Sequence, residues 1–125
     1  MKIQAVLISS AIALGMASPA AAALSLDPET TVSAPGQNVT SWETAASRDT
    51  SRAVALWRRF DGSHERIQAR SLEAGTWGPT AILSPSTGDG GSPQVAMSAS
   101  GTTAVAVWKL ETGGTSIIQA RWFNN

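Results

Sequence analysis

Cysteine and tyrosine are absent from this 125-residue chain, and histidine occurs once. Without cysteine there is no disulfide framework, thiolate metal site or thiol nucleophile. One histidine leaves little for general acid and base catalysis, which leans most often on imidazole. Charge is scarce too: nine basic and nine acidic side chains sum to zero. No electrostatic footprint therefore points to nucleic acid or to an anionic membrane surface. The length allows one small domain at most. What the chain does hold in excess is tryptophan, five against two phenylalanines.

Residues 1–23 stand apart from the rest. Lys2 supplies a positive start, residues 5–17 are apolar except for Ser9, Ser10 and Gly15, and residues 18–23 end in small side chains. The apolar run is too short to span a bilayer and reads as a secretory signal peptide cut after Ala22 or Ala23. The expected product is secreted or periplasmic, has no membrane insertion after cleavage, and begins at or within two residues of Leu24. With no cysteine after the cut, a lipoprotein anchor is excluded.

A repeat governs residues 24–125. Sliding the sequence by 51 lays Ala53-Val54-Ala55-Leu56-Trp57 on Ala104-Val105-Ala106-Val107-Trp108 and Ile67-Gln68-Ala69-Arg70 on Ile118-Gln119-Ala120-Arg121, without a gap. The same offset pairs Pro28 with Pro79, Ser33 with Ser84, Ser41 with Ser92, Ala45 with Ala96, Ser47 with Ser98 and Gly62 with Gly113, giving 14 identities in 51 positions. Repeats of this length built of short apolar strands are the mark of propeller blades. Repeat one is taken as residues 24–74 and repeat two as 75–125.

Each repeat reads as four strands. In the second they are residues 80–84, 94–98, 103–108 and 116–123, separated by turn-forming runs rich in glycine, serine and proline. No window after the signal shows helical spacing of apolar residues. Residues 104–108 are apolar on both faces and must be covered on both. Blades stacked face to face provide that cover, so the expected fold is all-β, two four-stranded β-propeller-type blades, completed by oligomerisation or belonging to a larger propeller. An eight-stranded sandwich is the alternative.

The order Pro93-Gln94-Val95-Ala96-Met97-Ser98, Gly101, Ala104-Val105-Ala106-Val107-Trp108, Ile118-Gln119-Ala120-Arg121 resembles the repeat of sialidase-like, Asp-box-containing β-propellers. Ser71-Leu72-Glu73-Ala74-Gly75-Thr76-Trp77 is similar to the Asp box, with glutamate in place of aspartate and one residue fewer before the threonine. The resemblance implies a turn between the third and fourth strands with the tryptophan packed into the blade. It also implies a search for sialidase catalytic groups. The tyrosine nucleophile is missing, and none of Arg58, Arg59, Arg66 and Arg70 sits in a motif that matches the arginine triad. No catalytic residue is assigned, and an enzyme is not expected.

Metal and cofactor sites are not expected either. His64 is a single imidazole in a polar loop, whereas zinc needs several nitrogen or sulfur ligands. Asp89 lies among glycines without the spaced carboxylates of a calcium loop.

Charge divides unevenly between the repeats. Repeat one carries six arginines and seven acids, repeat two only Lys109, Arg121, Asp89 and Glu111. Arg58 and Arg59 therefore mark an edge particular to repeat one, suited to an anion or to sugar hydroxyls. Trp57 and Trp108 are repeat equivalents and read as packing residues. Trp42 and Trp122 have no tryptophan counterpart, so they join Arg58 and Arg59 as candidate ligand-binding residues, their flat faces suited to sugar rings.

The function expected is that of a non-catalytic, lectin-like binding module with a glycan as ligand. The alternative is a structural or protein-interaction repeat, including a truncated fragment of a longer propeller protein. Two blades leave two apolar faces open, which predicts a homo-oligomer. Propellers close with four to eight blades, so a trimer is favoured and a dimer also closes. By repeat phase, residues 30–33 match an outer fourth strand and 116–123 a third strand without one. Residues 30–33 are expected to pair with 116–123 of another copy, so that removing residues 24–35 breaks assembly.

Overall fold

The computed structural model describes residues 25–124; the signal segment lies outside them. The described chain is all-β: β1 (Val39–Ala46), β2 (Arg52–Phe60), β3 (Glu65–Glu73), β4 (Thr76–Trp77), β5 (Ala81–Ile82), β6 (Asp89–Met97), β7 (Thr103–Thr112) and β8 (Thr115–Asn124). They form two antiparallel sheets. Sheet one runs β1-β2-β3 and ends on β4 and β5, which both pair with β3; sheet two runs β6-β7-β8.

The turns explain why these strands meet. Ala74 and Gly75 both have positive φ and join β3 to β4, and Gly113 and Gly114 do the same between β7 and β8. Two such residues suit the twist of a tight hairpin. Between β2 and β3 the turn is closed by Asp61, whose Oδ1 accepts the backbone N–H groups of Ser63 and His64, both at 2.9 Å. An aspartate bonding forward to its own backbone is a common turn device. Between β1 and β2 the Asp49 carboxylate accepts from the Ser47 and Ser51 hydroxyls, and Thr50 takes φ 59°. Its repeat counterpart Gly101 takes φ 72° at the same point between β6 and β7.

One sequence expectation changes. Residues 80–84 do not open the second sheet: Ala81–Ile82 pairs with Gln68 and Ala69 of β3, and Leu83 continues that edge by donating to the Ile67 carbonyl at 2.8 Å. Sheet two therefore has three strands among the described residues, not four. Residues 30–33 form no strand within the chain. The repeat boundary at 74/75 lies in the β3–β4 turn.

The core lies where the sheets face each other. Val54, Leu56, Ile67 and Ala69 of sheet one meet Ala104, Ala106, Trp108 and Leu110 of sheet two, with Leu83 between them. Strand alternation puts Ala53, Ala55, Trp57 and Arg59 on the outer face of sheet one. It likewise puts Val105, Val107 and Lys109 on the outer face of sheet two. At Gly90 the sheets touch closely enough that a Cβ would lie 2.8 Å from Ile67 Cγ1.

The two equivalent tryptophans differ in one respect. Trp57 Nε1 donates to Gln68 Oε1 at 3.0 Å, whereas the buried Trp108 Nε1 and Gln119 Oε1 have no hydrogen-bond partner. Stranding a buried polar atom costs about 1–3 kcal/mol. Trp57→Phe, which orphans Gln68, is therefore expected to destabilise by about 1 kcal/mol more than Trp108→Phe in urea titrations. Equal losses would show that the Gln68 bond contributes nothing.

Candidate functional site

Trp42 is placed by β1, an edge strand whose pairing with β2 shifts register between Val39 and Trp42. Such a bulge re-aims side chains. Trp42 stands opposite Trp57 on the outer face of sheet one and is 72% exposed. Val32, Ser33, Val39, Trp42, Thr44, Ala55, Leu56 and Trp57 line a shallow groove of about 290 Å³ there. Its wall is the segment before β1, held by two arginines: Arg59 Nη2 donates to the Pro35 carbonyl at 2.8 Å and Arg70 Nη1 to the Val32 carbonyl at 3.0 Å.

Trp122 is elsewhere. It pairs with Val105 on β7 and lies on the outer face of sheet two, 67% exposed, with Ile118 on the same face 75% exposed. The four candidate residues do not converge. Trp42 and Arg59 share the outer face of sheet one, Trp122 the opposite end of the stack. Arg58 points between the sheets, where its Nε lies 3.3 Å from Glu65 Oε2. Neither of those atoms has a hydrogen-bond partner, so this is an ion pair with poor alignment.

Several other ionisable groups hold structure. Arg66 Nη1 bonds Asp61 Oδ2 at 2.8 Å, Arg52 Nη2 bonds Glu73 Oε1 at 2.8 Å, and Arg70 Nε bonds the Gly78 carbonyl at 2.6 Å. Asp89 fastens the sheets together: its Oδ1 accepts the Glu65 N–H at 2.9 Å and lies 3.3 Å from His64 Nδ1. Sequence reasoning gave Asp89 no part, because its counterpart is Asn38 and the partners lie on a different sheet. No group of three or more His, Cys, Asp or Glu side chains gathers among the described residues in a way that could hold a metal ion.

Hydrogen bonds to the ionised form depress three carboxyls. Asp49 is lowered to about 2, chiefly by the Ser47 hydroxyl. Asp61 is lowered to about 2, chiefly by the His64 backbone N–H. Asp89 is lowered by the Glu65 N–H first and His64 after it. A depressed folded-state pKa means the unfolded chain binds protons first, so this stabilisation is present above pH 4 and lost towards pH 2. Thermal melting is expected to be flat above about pH 5 and to fall steeply between pH 4 and 2. Asp49→Asn and Asp61→Asn should each shallow that slope; an unchanged slope in both would exclude these turns as its source.

No family model, curated protein or solved structure matches the chain. Its own geometry carries the functional reading.

Proposed function

We propose that the chain is a non-catalytic, propeller-type binding module that works by pairing the flat face of a blade with a partner. In this reading each sheet is a blade, and the 51-residue repeat is the blade period. The observation that carries it is the apolar exposure on the outer faces: Trp42 72%, Ile118 75% and Trp122 67%. On a domain this small, contiguous apolar surface usually marks an interaction site. Arg52, Arg58, Arg59, Arg66 and Arg70, with His64, Asp49, Asp61, Glu65, Glu73 and Asp89, are engaged in turns, sheet edges and the join between sheets.

A glycan on Trp42 is the second reading, favoured by the groove in which Ser33 and Thr44 hydroxyls stand beside two indole rings. Aromatic faces with a few polar groups at the rim are suited to sugars. Glycan-array binding by the secreted chain separates the two. The sugar reading expects a signal that Trp42→Ala abolishes and Trp122→Ala leaves alone. The face-pairing reading expects a blank array together with an indole emission that shifts to the blue as protein concentration rises. A blank array with concentration-independent emission would reject both. Secretion or periplasmic export belongs to the same proposal and rests on residues 1–23.

A further inference from the structure

We propose that the partner is a second copy of this chain, docked head to tail, with the outer face of sheet two of one copy on the outer face of sheet one of the next. The inference rests on the blade reading and adds the identity of the occupant. Its source is a contact the chain already makes with itself. Val54, Leu56, Ile67 and Ala69 pack against Ala104, Ala106, Trp108 and Leu110. Moving the first set forward by 51 residues gives Val105, Val107, Ile118 and Ala120, on the outer face of sheet two. Moving the second set back gives Ala53, Ala55, Trp57 and Arg59, on the outer face of sheet one. Both halves of the internal join thus recur, one at each end, although on sheet one Arg59 replaces Leu110 and Ala55 and Trp57 are already buried beside the 32–39 segment.

The sheet edge repeats the same logic. Within the chain the Ile67 N–H donates to Ser84 Oγ at 2.9 Å, and the Leu83 N–H donates to the Ile67 carbonyl at 2.8 Å. The equivalents are Ile118, Ser33 and Val32. Ile67 is 0% exposed and Ile118 75%. Val32 and Ser33 lie over Trp42, Thr44 and Trp57, much as Leu83 and Pro85 lie beside Trp108. The segment is held there through its carbonyls by Arg59 and Arg70. In the docked pair, Ser33 Oγ accepts the Ile118 N–H of the preceding copy, and the Val32 N–H donates to the carbonyl of that Ile118. An open strand edge gains its missing partners this way.

The second join is not a duplicate of the first. Val39 and Thr50 stand where the internal join has Gly90 and Gly101. A Cβ at either of those glycines would crowd sheet one, reaching Ile67 Cγ1 at 2.8 Å and Ser47 Cβ at 2.9 Å. The faces of two copies therefore sit farther apart. Two residues fill the added width: Trp42 in place of Pro93, and Trp122 in place of Ser71. Opposite Trp122 the volumes also exchange, with Ala46 and Leu72 where the internal join has Met97 and Phe123. Unlike faces pairing in one direction make a heterologous contact, which closes into a ring when the rotation allows.

Sedimentation velocity on the secreted chain at micromolar concentration tests this, with Trp42→Glu and Ile118→Glu each spoiling one of the two faces. Wild type should sediment as a closed oligomer, three copies giving six blades. Each variant alone should be monomeric, and an equimolar mixture should form pairs, because one intact face of each kind remains. A monomeric wild type overturns the docking. So does a variant that still associates alone, since that requires like faces to pair, or a folded mixture that stays monomeric. Amide exchange separates this failure from failure of the blade reading. Ile67 should be protected in every sample, Ile118 only in associated wild type and in the Trp42→Glu chain of the mixed pair. Protected Ile67 with a monomeric wild type removes the second copy and keeps the blades; an unprotected Ile67 removes both.

Discussion

Trp108→Ala is expected to cost about 4 kcal/mol, the range found for deleting a fully buried tryptophan. At 2% exposure Trp108 is the largest fully buried side chain, and it fills the space between the two sheets. A domain of this size has about 5–15 kcal/mol of stability in total. The midpoint of thermal unfolding should fall by about 15–30 °C, at about 4–8 °C per kcal/mol. Because its Nε1 has no hydrogen-bond partner, the whole loss is packing. Trp42→Ala is the matched control: at 72% exposure it should change the stability of the single chain by no more than about 0.5 kcal/mol. A Trp108→Ala melt within a few degrees of wild type would mean that the sheets do not pack through this residue.

The other large effect is expected at Gly88. A Cβ there would lie inside the backbone carbonyl of Glu111, with the Thr112 Cβ at 3.0 Å. Backbone cannot rotate out of the way as a side chain can. The approach is fixed by the Thr112 hydroxyl, which donates to the Thr87 carbonyl at 2.7 Å. Gly88→Ala should therefore cost on the order of 3 kcal/mol, at the upper end of overpacking penalties. Gly90→Ala presses on the Ile67 side chain, with the Glu65 carbonyl at an ordinary 3.4 Å, and should cost less, about 1–2 kcal/mol. The ranking is checked by urea midpoints at unchanged m-value. If Gly90→Ala proved the worse of the two, the close approach of residues 87–88 to the end of β7 would be wrong.

Strand content and turn chemistry were legible in the sequence, because both are short-range. The apolar run at 103–108 is the heart of β7, and the glycine pair at 113–114 makes the hairpin to β8 because only residues without a Cβ take those φ values freely. The 51-residue repeat likewise placed Trp57 and Trp108 in equivalent buried positions. Residues 80–84 read as the first strand of repeat two by order and, through their match to residues 30–33, as an outer fourth strand by repeat phase. They lie within repeat two, yet their hydrogen bonds go back to β3, and which neighbour an edge strand chooses depends on where its preceding turn delivers it.

The candidate site divides the same way. Arg58 and Arg59 are adjacent in sequence, and strand alternation alone sends them to opposite faces. That Arg58 meets Glu65 while Arg59 holds the Pro35 carbonyl is a tertiary fact. Trp42 and Trp122 were visible as tryptophans outside the repeat. Their exposure was not, because each strand has two faces able to be buried, and only the stacking of one sheet on the other decides which face is covered. Composition and periodicity by themselves determined an all-β chain with a repeated strand pattern. The tertiary structure decided which sheet owns each short strand, which of two equivalent faces stays open, and where Asp89 ties the sheets together. Those outcomes depend on contacts between residues far apart in the chain, which no local pattern encodes.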